Sequence, residues 1–425
     1  MSSSSDSCNS RHFSWLMKSC FPDPHHHLHL HHPQPCSTAA PTTTCTATTI
    51  SSLPDDLLLE CLAKVSHSSL PSLPFVCRRW AHLLDSKDFH SLRRHHNLLH
   101  FTLFSVSIHN STLFTASHRL DVDSSWRVSS FLPSDDAVTQ HGSLHSLFSH
   151  SRVAAIGRKI YIIGRTAMLR CDTWTGTLVP KPGMLVQRKK FAVGVLGGKI
   201  YVAGGCSRSA EVEEYDPVEN LWRVVSHAPR RRYGCVGAAV DGLFYVIGGL
   251  RIGNSGNEWL SLSSWAAGAE AVHLYASSMD VYDVAARSWL RSRSVPGGGC
   301  VVAACAAGGH VYVLSSHAVE LSFWRFNGIR NSSSFGEWCR IKSPPLPAQV
   351  RLDSSVRFCC IGVGEKVVLI QVMGCIDDLL RRSGRNERGL KEGLVLIYDC
   401  TAGEWSRGAD LPEVIRRAAC VCVEC

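Results

Sequence analysis

The chain has 425 residues, 45% of them hydrophobic and 19% charged, with 33 glycines and 11 tryptophans. That balance excludes a wholly disordered, collagenous or coiled-coil chain and fits a β-rich globular protein of two or three domains. Its 44 Lys and Arg against 35 Asp and Glu give a net charge of +9, but the basic residues are scattered in twos and threes, so no stripe tracks a phosphate backbone and no nucleic-acid partner is expected.

Residues 1–49 are rich in Ser, Thr, Pro and His and poor in large apolar groups, a composition that does not offset the entropy of ordering. A disordered tail is expected there. His25, His26, His27, His29, His31 and His32 form a tract without the supporting shell that fixes a metal, so neither metal nor cofactor is expected. A plastid transit peptide shares the Ser/Thr richness, but Arg11 and Lys18 are meagre basic content for one. Met1 to Asn9 hold no basic region followed by an apolar run, so the nineteen cysteines read as reduced thiols of the cytoplasm, the nucleus or both. The longest apolar stretch, Cys300 to Leu314, has 15 residues and is broken by Gly308-Gly309 and His310, too short for a bilayer; no membrane partner is expected.

From Ile50 to about His96 the pattern becomes helical. Pro54 suits the first position of a helix and Asp55 and Asp56 its positive end, after which Leu58, Cys61, Leu62 and Val65 recur at helical spacing. A second helix follows Pro74, with Val76, Trp80, Leu83 and Leu84 on one side. Two or three short helices in so few residues bury their apolar faces poorly, which points to a partner.

Beyond His100 the chain repeats itself. Lys159-Ile160-Tyr161-Ile162-Ile163-Gly164, Lys199-Ile200-Tyr201-Val202-Ala203-Gly204-Gly205, Leu243-Phe244-Tyr245-Val246-Ile247-Gly248-Gly249 and His310-Val311-Tyr312-Val313-Leu314 share one phrase, and Lys366-Val367-Val368-Leu369-Ile370 is a weaker copy. A second phrase follows: Tyr215-Asp216 with Trp222, Tyr282-Asp283 with Trp289, and Tyr398-Asp399 with Trp405, a strand, turn and strand. Taking Leu178 as the degraded copy, the anchors Trp126, Leu178, Trp222, Trp289, Trp338 and Trp405 stand 52, 44, 67, 49 and 67 residues apart. Four strands fit each period of about 48, and residues 100–125 with 406–425 make up almost one more, so the repeat closes on itself.

Leu53-Pro54-Asp55-Asp56-Leu57-Leu58-Leu59-Glu60-Cys61-Leu62-Ala63 with Phe75-Val76-Cys77-Arg78-Arg79-Trp80 resembles an F-box, and the Gly-Gly, Tyr-Asp and Trp repeats resemble kelch motifs; in this order they resemble the plant F-box/kelch-repeat proteins, including the Skp1-interacting subgroup. The resemblance implies a mainly β fold, a six-bladed kelch β-propeller over 100–425 behind a small α-helical F-box at 50–96. It also implies a role without catalysis: substrate adaptor of an SCF-type ubiquitin ligase, docking a Skp1-like protein and through it a cullin, and presenting a target protein for degradation. Carried over by position, Leu53, Pro54, Leu57, Leu62, Val65, Val76 and Trp80 are the candidate Skp1-facing or supporting residues. The alternative is a kelch scaffold or a small-molecule or metal-dependent enzyme. Against it, no Glu here has Asp four and His eight residues later, the pattern of the iron-dependent specifier proteins, and Cys422 and Cys425 make only a lone CxxC.

Ala418 to Val423 reads as a strand joining those near Leu103 and Trp126 in one composite blade that closes the ring. Gly205 to Tyr215 spans 10 residues, but Gly249 to Tyr282 spans 33 and Val372 to Tyr398 spans 26, so both insertions fall between the second and third strands of a blade. The blade-to-blade connections share that face. Arg188, Arg232 with its neighbour Tyr233, and Arg416 sit in or near them and are the candidate target-binding residues. The competing reading is that these arginines are solvated or pair within the repeat.

Overall fold

The computed structural model describes residues 50–109, 112–131, 144–251, 276–317, 320–346, 356–374 and 393–424, in two units that divide after Leu98. The tail, the His tract, Cys425 and both insertions, at 252–275 and 375–392, lie outside the described residues. No described helix is long and apolar enough to cross a membrane.

The first unit is helical. Pro54 precedes a helix over Asp55–Ala63 whose first turn carries Asp55 and Asp56. A 3₁₀ turn over Leu70–Phe75 leads to helices at Arg78–Leu84 and Lys87–His95, the latter capped by Ser86 Oγ, which accepts from the Phe89 amide at 3.1 Å. Leu58, Leu59, Leu62, Leu83, Leu84 and Phe89 are buried. Buried Arg93 donates to the carbonyls of Ala63, Val65 and Leu98, satisfying acceptors left at the end of the first helix.

The second unit is a six-bladed propeller of four-stranded antiparallel sheets. Blade II runs Arg152–Ile156, Lys159–Ile163, Met168–Asp172 and Leu178–Lys181; blade III runs Ala192–Leu196, Lys199–Ala203, Glu211–Asp216 and Leu221–His227. Blade IV is built on Val236–Val240, Leu243–Ile247, Ser278–Asp283 and Ser288–Trp289. Blade V holds Cys300–Ala307, His310–His317, Glu320–Asn327 and Trp338–Ile341, and blade VI holds Arg357–Val363, Lys366–Met373, Val395–Asp399 and Glu404–Arg407. Blade I is composite: Ala419–Glu424, from the far end of the chain, pairs with Phe101–His109, which continues to Thr112–Arg119 and Arg127–Phe131.

The repeated phrases explain the blades. The Lys-Ile-Tyr phrase is the second strand, fully buried on both faces in blade IV. The Tyr-Asp phrase ends the third strand, where Asp216 Oδ1 accepts from the Val218 and Glu219 amides and Asp399 Oδ1 from those of Thr401 and Ala402, closing the turn. Tyr215, Tyr282 and Tyr398 then stand opposite Trp222, Trp289 and Trp405 with ring centroids 5.1–5.2 Å apart. The indole of each of these tryptophans reaches back to the preceding blade: Trp222 Nε1 donates to Pro182 O, Trp289 Nε1 to Ser226 Oγ and Trp405 Nε1 to Lys342 O. Trp126 does the same across the closure, to Ala409 O at 2.8 Å.

Each interface between neighbouring blades holds its own apolar cluster. The innermost strands pack on one another all round the ring, so closely that a Cβ on Gly362 would fall 1.8 Å from Ala306 O, and one on Gly237 2.2 Å from Val193 O. Ala419–Glu424 completes that ring between Arg357–Val363 and Arg152–Ile156, as the composite-blade reading requires.

Candidate binding surfaces

In the helical unit the sequence-predicted partner residues separate into two groups. Leu62 is buried in the core of the unit, which makes it a supporting residue rather than a partner-facing one: it follows Leu58 and Leu59 on the inward side of the first helix. Leu53, Val65 and Trp80 are half-buried, whereas Pro54 is exposed, Leu57 is 51% exposed and Val76 42%. Val76 does not share a helix side with Leu83 and Leu84 as expected, because it caps the 3₁₀ turn before the helix begins at Arg78. Sequence reasoning missed Phe75, which is 73% exposed, the most of the Phe and Trp side chains among the described residues of this unit. Its signal was its place within the F-box-like phrase, next to Val76. Arg79 brings the two segments together, its Nε donating to Asp55 Oδ1 at 2.8 Å and its guanidinium to the Ser51 and Leu53 carbonyls. Exposed Leu57, Phe75 and Val76 on so small a unit are apolar surface available to a partner.

In the propeller the strands flanking both insertions confirm their place, between second and third strands of blades IV and VI. The arginines of that face require a correction. Arg188 and Arg232 are buried, not presented to solvent. Arg188 Nη2 and Nε meet Glu213 Oε1 at 2.8 and 3.0 Å, and the guanidinium also donates to the carbonyls of Gly204 and Glu211. Arg232 repeats the device one blade on, with Asp280 Oδ2 at 2.8 Å, Gly248 O at 2.8 Å and Ser278 Oγ at 2.9 Å. These forks tie each incoming connection to the second and third strands of its blade; a guanidinium buried and engaged in this way is not presented to a target. Tyr233 is half-buried under the Lys190 ammonium, 5.5 Å from the ring centroid. Arg416 is exposed and lines a shallow cleft with His109, Thr112, Phe114, Glu413 and Val414 at the rim of blade I.

The same face carries a basic group that sequence reasoning did not assemble. Arg152 and Arg357 are the first residues of the innermost strands of blades II and VI, and His150 and Lys190 stand two residues before those of blades II and III. Burial, then the charges of Arg357, Lys190, Lys189 and Arg152, hold the His150 imidazole below its usual pKa. Lys190 is lowered likewise, by burial and then by Arg357 and Arg152. Arg152 reaches the carbonyls of Phe191 and Cys235, at 2.9 and 3.3 Å, so it extends from blade II to blade IV beside the channel axis.

The comparisons agree with this architecture. The F-box domain family matches residues 50–92 and the Kelch motif family residues 187–228, which is blade III with its incoming connection. The F-box/kelch-repeat protein At5g26960 of Arabidopsis thaliana is 58% identical over 426 aligned residues, 99% of this chain and 100% of that protein. Two further Arabidopsis thaliana proteins align over less: F-box/kelch-repeat protein At1g67480 at 27% identity, over 48% of this chain and 57% of its own, and the putative F-box/kelch-repeat protein At3g46050 at 32%, over 42% and 49%. This chain thus spans about half the length of those two. A helical unit matched as an F-box, a six-bladed propeller matched at one blade as kelch, and a relative similar from end to end place the chain in the F-box/kelch-repeat family.

Proposed function

We propose that this protein is the target-recognising adaptor of a Skp1-cullin-F-box ubiquitin ligase, acting by binding rather than by catalysis in the cytoplasm or nucleus. The helical unit takes the Skp1-like protein, which bridges to the cullin, and the propeller holds the target while ubiquitin is transferred to it. The observation that supports this most directly is the exposed apolar surface of Leu57, Phe75 and Val76 on the unit matched as an F-box. Truncated apolar anchors at such interfaces cost about 2 kcal/mol each. Leu53→Ala with Pro54→Ala, and separately Phe75→Ala, are therefore expected to weaken pull-down of a Skp1-like protein by roughly 30-fold or more while leaving the melting temperature of the chain unchanged. Folded variants that bind at the parental level would refute the docking assignment.

A further inference from the structure

The turns entering the innermost strands share one backbone feature. The residue two places before the strand has positive φ in blade I (Arg417, 53°), blade II (His150, 60°), blade III (Lys190, 52°) and blade IV (Gly234, 75°), and blade V enters through Gly297, Gly298 and Gly299. Left-handed backbone favours glycine, and blades IV and V use it. Blades I, II and III keep Arg, His and Lys there despite the strain, and retained strain of this kind is concentrated at functional sites. Blade VI adds Arg357 as the first residue of its innermost strand. In ring order the basic positions are VI, I, II and III, a continuous arc round the channel mouth, with glycines completing the circle.

Charge balance points the same way. The side chains of Lys189, Lys190, Arg357 and Arg417 make no hydrogen bond or ion pair with a described residue, and those of Arg152 end on backbone carbonyls. Among the described residues, three acidic groups of the outer strands on this face are already engaged, Glu213 with Arg188, Asp280 with Arg230 and Arg232, and Glu320 with Arg340, while Glu211 at the start of the third strand of blade III forms no ion pair. Glu413 lies out beside Arg416. Several cations close enough to lower one another's proton affinity, none of them paired with a described carboxylate, repel each other unless an anion joins them.

We propose that this arc is the grip of the propeller on its target, and that the target presents an acidic segment to it, with side-chain carboxylate or phosphate oxygens entering the channel mouth between Arg357, Arg417 and Lys190. The inference rests on the adaptor reading and narrows it to a class of target. Guanidinium groups take such oxygens in pairs, and the lysines add charge without fixed geometry.

The test uses the full chain and short fluorescent Gly/Ser peptides carrying glutamate, phosphoserine or lysine, with a single-stranded oligonucleotide as a further competitor. The glutamate or the phosphoserine peptide is expected to bind at least about tenfold more tightly than the lysine peptide, with affinity falling as salt rises, and the tighter of the two identifies the source of the oxygens. Lys190→Glu with Arg357→Glu should abolish that binding and Lys190→Arg with Arg357→Lys should retain it. If the reversed pair melts early, Lys189→Glu with Arg417→Glu, on exposed side chains, replaces it. Equal binding of all three peptides, unchanged binding by the reversed variants, or preference for the oligonucleotide would overturn the proposal. Skp1 pull-down from the same preparations separates the two readings: a reversed variant that still docks Skp1 and still directs turnover of its target removes the arc and leaves the adaptor intact.

Discussion

A buried arginine and an exposed one look alike in a sequence, and Arg188 shows the cost of that ambiguity. Its position in a blade connection suggests a recognition residue, yet its guanidinium is spent on Glu213, 25 residues later, and on two carbonyls. A trace of the pairing was present: Glu213 and Asp280 each stand two residues before the repeat tyrosine, as Arg188 and Arg232 each stand before their own blade. Removing one partner of such a pair leaves an uncompensated buried charge, at about 3–5 kcal/mol. Arg188→Met should therefore lower the stability of the propeller by about that much in denaturant unfolding, and Arg188→Met with Glu213→Leu should recover part of the loss. Arg188→Met that melts as the parent but fails to hold the target would return this residue to the recognition surface.

At the scale of the element, the turn between third and fourth strands is the most regular device of the repeat, and blade I builds it differently. Asp123 accepts from the Arg119 amide and guanidinium, both at 2.8 Å, and from Arg127 at 3.0 Å. The Arg119 hydrogen bond lowers the Asp123 pKa from 3.8 to about 2. Because the folded-state value lies below the unfolded one, the carboxylate stabilises the fold fully above about pH 4, and that contribution is lost as pH falls toward 2. Melting curves between pH 5 and pH 2 are expected to fall more steeply for the parent than for Asp123→Asn, which should already be less stable at pH 7. Parallel curves would show that the turn draws nothing from the charge. His118, stacked on Trp126 at 5.1 Å, stands here in place of the repeat tyrosine, which is why the phrase fades in this blade while the geometry persists.

For the molecule as a whole, closure is the decisive step. Deleting residues 419–425 removes the inner strand of blade I, unpairs the edge of Phe101–His109 and opens the ring between blades VI and II. The exposed backbone groups and lost burial of Cys420 and Val423 should lower the melting temperature by roughly 10 °C or more. Melting equal to that of the full chain would mean that the ring does not depend on this strand.

What is local and periodic in this fold can be read from the order of its residues. The Lys-Ile-Tyr strands, the Asp-closed turns and the tryptophans follow from residues a few positions apart, the blade count follows from their recurrence about every 48 residues, and the leftover ends summing to one period already implied the composite blade. The F-box-like phrase was legible for the same reason, although whether Leu62 or Phe75 faces outward depended on how three short helices pack. Which charges are paired and which are left over depends on the folded arrangement of the blades. His150, Arg152, Lys190 and Arg357 become neighbours round one channel because the ring closes, and no spacing along the chain encodes that adjacency. Charge acts across space with a reach of about 10 Å, whereas a sequence motif records only separation along the backbone.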